Sequence, residues 1–319
     1  MSWENRSSPP PAEGVRVHWE ELPADVRAAL ERRLGSTVVE ASTQRGGFSP
    51  GLASRLLLAD GRRLFVKAVS ESANPDTPDL HRREAKIVAA LPESAPVPRL
   101  LWTFDEAGWV ALCFEDVDGR HPHQPWTEAD LELVVRAMKA MSAALTPSPI
   151  EVDWTAADAF RDDINGWGHA LNRGETRLDP WCLKHLEQLG ALEAKAPAAV
   201  AGETLLHFDT RADNLLIAGD RVYVVDWPWA RTGAAWVDWL AMAPSVTMQG
   251  GPEPAAFMSR FDLRDVPNMA IDAALCSLAG YFVVHALDPP PPGIPTVRAF
   301  QAAQGVVAIR WLRERTGWV

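Results

Sequence analysis

The sequence predicts an α+β fold in two lobes: residues 15–115 form a five-stranded antiparallel sheet plus helix, and residues 116–319 form a mainly helical lobe. Three observations carry this. Short β-like runs, divided by turn signals such as Asp60-Gly61, fill most of the chain before Glu115. From Thr127 onward the apolar residues recur at helical spacing, except for one hairpin-like stretch near residue 220. A length of 319 residues with 47% hydrophobic composition exceeds what one core usually organises.

Taken in order, residues 1–14 are polar and carry Pro9-Pro10-Pro11, without the basic and apolar regions of a signal peptide, so they read as a disordered tail. Residues 18–34 place Leu22, Val26, Ala29, Leu30 and Leu34 on one stripe and stop at Gly35, which predicts a helix. A loop follows, Gln44-Arg45-Gly46-Gly47-Phe48-Ser49-Pro50-Gly51, whose backbone N–H groups could lie on a phosphate. Its Gly47-x-Ser49-x-Gly51 also matches the nucleophile elbow of serine hydrolases. That elbow needs a buried strand before the serine and a helix after it, whereas here polar residues precede and a strand follows.

Residues 64–69 form a strand with one charge, Lys67, in its middle. In the next helix Leu80, Glu84, Ile87, Val88 and Leu91 share a stripe, so Glu84 lies on the apolar face and wants a cation. Lys67 and Glu84 are each misplaced alone and make sense as a pair. Residues 100–104 and 109–114 are two further strands, and Phe114-Glu115-Asp116-Val117-Asp118-Gly119 after them has the composition of a linker.

In the second lobe Leu131, Val134, Val135, Met138 and Met141 mark a helix. A single helix is expected over residues 155–171, with Asp158 and Asp162 on one face and Asp163 beside them; a solvated face and a site for a cationic acceptor both fit. Helices are also expected over residues 181–195, from 235 with Asp238 near its start, and over 269–287 and 297–315, the last two joined by a proline-rich connector.

Composition narrows the function. The net charge of −11 disfavours nucleic acid and anionic membranes as partners. Cys113, Cys182 and Cys276 show no disulfide or zinc spacing, which fits a reducing cytoplasm, and no uninterrupted apolar run reaches the ~20 residues of a membrane span. The acids are uneven: residues 1–115 carry 14 Lys and Arg against 16 Asp and Glu, and residues 116–319 carry 17 against 26.

The chemistry concentrates in residues 207–227, H-F-D-T-R-A-D-N-L-L-I-A-G-D-R-V-Y-V-V-D-W. Two β-rich runs flank Gly219-Asp220, so residues whose numbers sum to about 440 should face each other, setting Asn214 opposite Asp226 with Cα atoms roughly 5 Å apart. An amide oxygen and a carboxylate aimed at one spot suit Mg²⁺, which keeps its other positions for phosphate and water. Asp209 lies at the mouth of the same hairpin, where a base for an attacking hydroxyl would be wanted.

His207-x-Asp209-x-x-x-x-Asn214 followed by Asp226 resembles the catalytic segment of the protein-kinase superfamily, and Trp227 after it resembles the aminoglycoside phosphotransferase branch. The resemblance implies a protein-kinase-like fold that transfers the γ-phosphoryl group of ATP (or GTP) to a hydroxyl of a small molecule. It implies that Lys67 meets the α- and β-phosphates with Glu84 holding it, and that Asn214 and Asp226 hold Mg²⁺. Gly47 and Ser49 would cover the phosphates, and Phe114, Glu115 and Asp116 would offer backbone to the base. Asp209 would accept the proton and His207 orient the loop. Arg211 stands where protein kinases carry a lysine on the γ-phosphate, and Asp238 where an acid holds the loop backbone. Lys67→Ala should then abolish transfer and leave the fold intact. Motif order covers about residues 36–250, with two departures: Thr210 replaces a commoner apolar residue, and the glycine loop is not G-x-G-x-x-G. No A-P-E follows Asp226, which argues against a protein substrate. The acidic second half favours an aminoglycoside-like acceptor met by Asp158, Asp162 and Asp163; choline, amino sugars, homoserine and peptide antibiotics are the alternatives, and an inactive nucleotide-binding module is the other reading.

Overall fold

A computed structural model of the chain describes residues 10–72 and 77–319, so the first nine residues of the expected tail lie outside the described part. The first lobe holds β1 (Val38–Thr43), β2 (Leu52–Leu58), β3 (Arg63–Ser70), β4 (Leu100–Glu106) and β5 (Trp109–Glu115). They form one sheet in the order β1-β2-β3-β5-β4 with every pairing antiparallel. The two-residue period of a strand divides β5 between two cores. Ala111 and Cys113 face α1 (Ala24–Leu34), where Val26, Leu30 and Leu34 pack, while Leu112 and Phe114 face Ile87 and Val88 of α2 (Thr77–Ala90) and the second lobe.

The helix expected from residue 18 begins only at Ala24. Trp19–Glu21 make a single 3₁₀ turn, and Pro23 forces Leu22 into an extended conformation with ψ of 144°. Residues 10–14 are not a free tail. Gly47 N donates to Ala12 O at 2.9 Å, Glu13 bridges to both Gly46 and Gly47, and Val15 N reaches Gly293 O at 2.8 Å, so the segment supplies the partner that the backbone edge of the glycine loop lacks.

The second lobe runs α3 (Glu128–Ala144), α4 (Ala156–Asp162), α5 (Gly166–Arg173), α6 (Pro180–Lys184), α7 (Leu186–Glu193) and α8 (Ala196–Ala199). It continues with β6 (Thr204–Leu206), β7 (Leu215–Ala218), β8 (Arg221–Val224), β9 (Arg231–Gly233), α9 (Trp236–Met248), α10 (Pro254–Met258), α11 (Asn268–His285) and α12 (Val297–Thr316). The helix expected over 155–171 breaks between α4 and α5. The chain turns there so that Gly166 meets Gly280 of α11 backbone to backbone; a Cβ on Gly166 would overlap the Gly280 carbonyl. Trp167 Nε1 then donates to Cys276 O at 2.8 Å, and the buried Glu193 accepts from Trp167 N and Gly168 N at 3.1 and 2.8 Å, capping α5 from α7. The helix expected over 181–195 likewise bends at His185, into α6 and α7.

By length and composition α11 could cross a membrane, although no such run was expected from the sequence; 61% of it is buried against α5, α7 and α12. Cys113, Cys182 and Cys276 are unpaired and buried.

Candidate active site

A cleft of about 660 Å³ opens between the lobes, walled by Lys67, Glu84 and Phe114 from the first and by Asn214, Asp226 and Trp227 from the second. On β3 the register sets Lys67 between Ala53 of β2 and Leu112 of β5. Its ammonium donates to Glu84 Oε1 and Oε2 at 2.8 and 3.0 Å and to Asp226 Oδ1 at 2.7 Å. Burial lowers the Lys67 pKa, but the charges of Asp226 and Glu84 outweigh it and hold the amine protonated, above its usual range. Burial would raise Asp226, yet Lys67 brings it down to about 2. One cation thus joins β3, α2 and the second lobe.

The hairpin corrects the expected facing of Asn214 and Asp226. β7 and β8 pair Leu215 with Val224 and Ala218 with Arg221, so facing residues sum to 439. A two-residue turn at Gly219-Asp220 imposes that odd sum, and Gly219 takes the positive φ of 62° that the turn requires. Asn214 O therefore accepts from Val225 N at 2.9 Å, and Asp226 falls one residue beyond the pairing. Asp226 adopts φ of 70°, a left-handed conformation that Asp tolerates better than most residues, and its carboxylate is thereby aimed at Lys67. Asn214 Nδ2 donates to Asp209 O at 2.8 Å and to Asp209 Oδ2 at 3.3 Å, which leaves Oδ1 as the accepting end of the amide. No group of three or more His, Cys, Asp or Glu among the described residues forms a metal cage. Two oxygen donors on a cleft wall suit an ion that completes its shell with phosphate and water, as Mg²⁺ does.

The loop between β6 and β7 is held from behind. Asp238, in the first turn of α9, accepts from His207 N and Phe208 N, both at 2.8 Å. That contact fixes Phe208 at φ of 66°, which a β-carbon disfavours. His207 Nε2 donates to Val225 O at 2.9 Å and its Nδ1 accepts from Asp209 N at 3.3 Å, so the ring is the neutral Nε2–H tautomer, in keeping with burial lowering its pKa. His207 is fully buried and fastens the loop to the end of the hairpin.

Asp209 Oδ1 accepts from Arg211 Nη1, and Arg211 also grips Asp213 through Nε and Nη2 at 3.0 and 2.8 Å. Burial pushes the Asp209 carboxyl up to about 6 against the pull of Arg211. The Arg211 guanidinium lies 5.1 Å from the ring of Phe48, in the glycine loop, and 6.0 Å from that of Phe300, in α12. Thr210 is buried, and its Oγ1 has no hydrogen-bond partner among the described residues.

Other candidates fall differently. Phe114 lines the cleft, but the Glu115 carboxylate holds Arg99 at 2.9 Å and that of Asp116 holds Arg55 and Arg63 at 3.3 and 3.1 Å, so both side chains have protein partners, and Glu115 N is itself bonded to Arg99 O at 3.0 Å. Ser49 lies in a loop that leads into β2, with no helix after it, and the hydrolase elbow does not form. Gly47 and Ser49 line the cleft; Gly47 N is already bonded to Ala12 O. Asp158, Asp162 and Asp163 do not line it. Asp158 bonds Thr155 and Arg161 at the start of its own helix, and Asp162 and Asp163 are exposed. Sequence reasoning missed Arg16, Phe48 and Phe300, whose roles depend on contacts between distant segments and leave no periodic signal.

The fold is similar to that of a thermostable mutant of aminoglycoside phosphotransferase APH(4)-Ia in ternary complex with AMP-PNP and hygromycin B, with a TM-score of 0.64 at 15% identity, over 93% of this chain and 100% of that one. It is similar to a choline/ethanolamine kinase family protein from Mesorhizobium loti (TM-score 0.62, 14% identity, 91% and 94% covered). Spectinomycin phosphotransferase APH(9)-Ia, in complex with ADP and spectinomycin, is a third neighbour (TM-score 0.56, 10% identity, 89% and 97% covered). No curated protein matches the chain in sequence. The model of the phosphotransferase enzyme family, APH, matches residues 47–271, well over half of the chain. The two-lobed fold and that match establish that the chain belongs to the phosphotransferase enzyme family.

Proposed function

We propose that this phosphotransferase moves the γ-phosphoryl group of ATP to a hydroxyl of a small cationic molecule of the aminoglycoside type, in the cleft between a lobe of residues 15–115 and one of residues 116–319. The observation that carries this is the linkage of Asp209 to Asn214 and of Asp226 to Lys67, which gathers a base, two metal ligands and a phosphate-binding cation at one end of the cleft. Lys67, fixed by Glu84, meets the α- and β-phosphates, and Phe114 with the backbone of Glu115 and Asp116 borders the base. Asn214 and Asp226 would hold Mg²⁺, which when bound neutralises charge on the phosphate oxygens. Asp209 orients the acceptor hydroxyl and takes its proton as the oxygen bonds to the γ-phosphorus and the bond to the β-phosphate oxygen breaks, releasing ADP. Arg211 keeps Asp209 ionised and in place.

The acidic balance of the second lobe and the ligands named for two of the structural neighbours support a cationic acceptor. Asp158, Asp162 and Asp163 lie outside the lining of this cleft, so nothing in its walls adds support to them as groups that bind the acceptor. The three unpaired cysteines fit a reducing compartment such as the cytoplasm. The test is ADP release against a panel of aminoglycosides, amino sugars, choline, homoserine and peptide antibiotics, with the phosphorylated product identified by mass spectrometry. Turnover confined to aminoglycosides, with an acceptor KM that rises with ionic strength, is expected. Turnover only with an uncharged alcohol would overturn the cationic acceptor, and absence of nucleotide binding would overturn the whole reading.

A further inference from the structure

We propose that Arg16, from the segment ahead of the first helix, binds the terminal phosphates of the nucleotide, taking over from the Gly47 and Gly51 amides of the glycine loop. The proposal rests on the nucleotide reading of the cleft and adds a residue that lies outside the 47–271 family match. A loop of this kind ordinarily serves phosphate through its backbone N–H groups. Here Gly47 N donates to Ala12 O at 2.9 Å, Gly51 N donates to Val15 O at 3.2 Å, and Pro50 has no N–H to give. The amides of residues 47, 50 and 51 are therefore withdrawn from any ligand. Residues 12–17 run along the loop and occupy the Gly47 and Gly51 amides.

The same segment brings a charge. Arg16 Nη1 donates to Ser49 O and Nη2 to Gly46 O, two carbonyl oxygens that would repel a phosphate if left facing it. The fork is packed against the loop closely enough that a Cβ on Gly47 would lie 3.2 Å from Nη2. A guanidinium has five N–H donors, so three remain, and the Nε among them is buried without a partner. Arg16 lines the cleft and feels the charges of Asp226 and Asp213 through space, which puts it on the side of the cleft where those carboxylates lie. It makes no ion pair among the described residues, whereas Lys67 is shared by Glu84 and Asp226 and Arg55 is held by Asp116. Of the remaining cations on the wall, Arg45 is exposed, and Arg16 is the one anchored in place. A half-buried guanidinium without a carboxylate has an unmet charge, and a polyphosphate supplies the missing anion with the bidentate geometry that arginine favours.

The experiment is calorimetric titration of the full chain with AMP, ADP and ATP in the presence of Mg²⁺, using wild type, Arg16→Gln and Arg16→Lys. Arg16→Gln should weaken ATP and ADP at least tenfold while AMP stays within twofold, and Arg16→Lys, which keeps the charge, should recover a large part of the loss. If Arg16→Gln binds ATP within twofold of wild type, the proposal fails. It also fails if Arg16→Lys loses as much as Arg16→Gln, because the arginine then only clamps the loop. Should Arg16→Gln not fold, phenylglyoxal labelling of wild type decides: ATP and ADP should protect Arg16 and adenosine should not, and equal labelling with all three refutes it. A wild type that binds none of the nucleotides would instead refute the nucleotide reading itself.

Discussion

Replacing Lys67 by Met tests the electrostatics of the cleft without requiring the acceptor. Met keeps most of the stem volume and removes the charge. The Lys67 side chain is 12% exposed, and the carboxylates it holds belong to side chains 2% and 17% exposed, Glu84 and Asp226. Removing one partner of a buried ion pair costs about 3–5 kcal/mol, because the other charge is left uncompensated. Two carboxylates lose their cation here, so a loss of about 4 kcal/mol is expected at pH 7, or about 10 °C in Tm at roughly 2–4 °C per kcal/mol for a chain of this size. This revises the expectation that removing Lys67 spares the fold: the residue serves the core as well as the phosphates.

The pH dependence carries a definite sign. With Lys67 present, Asp226 is held at about 2, below its unfolded value near 3.9, so its contribution is present above about pH 4 and lost as pH falls through 2. Without Lys67, burial raises both carboxyls, and they oppose folding as pH rises above about 4. The gap in Tm between wild type and Lys67→Met should therefore be widest near pH 7 and should close toward pH 4, and added Mg²⁺ should narrow it at neutral pH by serving the same carboxylates. Thermal unfolding followed by near-UV circular dichroism from pH 4 to 8 measures this. A gap under 2 °C at pH 7, or one that does not change with pH, would refute the reasoning.

Other consequences are testable alongside it. Asp209→Asn should bind Mg²⁺-ATP within about threefold of wild type yet turn over roughly 10²- to 10⁴-fold more slowly, and equal loss of binding and turnover would argue against a base at this position. A base must be deprotonated to act, so kcat/KM for wild type should fall about tenfold per pH unit below an apparent pKa of about 6; a limb near 4 would mean that Asp209 is not desolvated in the working enzyme. Asp238→Asn replaces one of two accepting oxygens with a donor facing a backbone N–H and should cost about 1–3 kcal/mol of stability in a denaturant titration, whereas an unchanged midpoint would mean the loop holds its shape alone. Burial pushes Glu193 up to about 7, so the folded state keeps a proton that the unfolded chain releases. Wild type should then lose about 3 kcal/mol between pH 4.5 and 7 relative to Glu193→Gln, and parallel stability curves would contradict that.

Much of the site was readable because its residues break local patterns. Lys67 interrupts a strand and Glu84 an apolar stripe, and a pattern that is wrong twice at the right distance implies a pair, which the structure joins at 2.8 Å. The sheet was legible from runs whose turns carry their own chemistry, such as Asp60-Gly61, where Gly61 takes φ of 85°. What escaped is set by contacts between distant segments. Asn165-Gly166 is a turn signal masked by the apolar stripe of residues 160–171, and the Gly280 backbone on α11, against which Gly166 must lie, shows why the break falls there. The hairpin was misread by one residue because a facing sum of about 440 overlooks the two-residue turn Gly219-Asp220, which is marked in the sequence itself and fixes an odd sum of 439. Residues 10–14 looked disordered because their composition builds no core, yet they are ordered by the loop whose hydrogen bonds they complete.

Charge was the least legible property, for a reason that bears on the acceptor. Counting acids gives the second lobe a surplus, but a count does not say which acids already have partners. Asp158 accepts from Thr155 Oγ1 and Arg161, Asp238 holds two backbone amides, Asp213 and Asp209 share Arg211, and Asp226 holds Lys67. Carboxylates satisfied in this way project little field toward a ligand, since each is offset within a few ångströms. The attraction that a cationic acceptor would feel must therefore come from acids other than these, and neutralising Asp158 should leave acceptor KM within twofold of wild type at every ionic strength. A KM that rises severalfold in Asp158→Asn and loses its salt dependence would show that the Arg161 pair opens when the acceptor binds, and would return that helix face to the site.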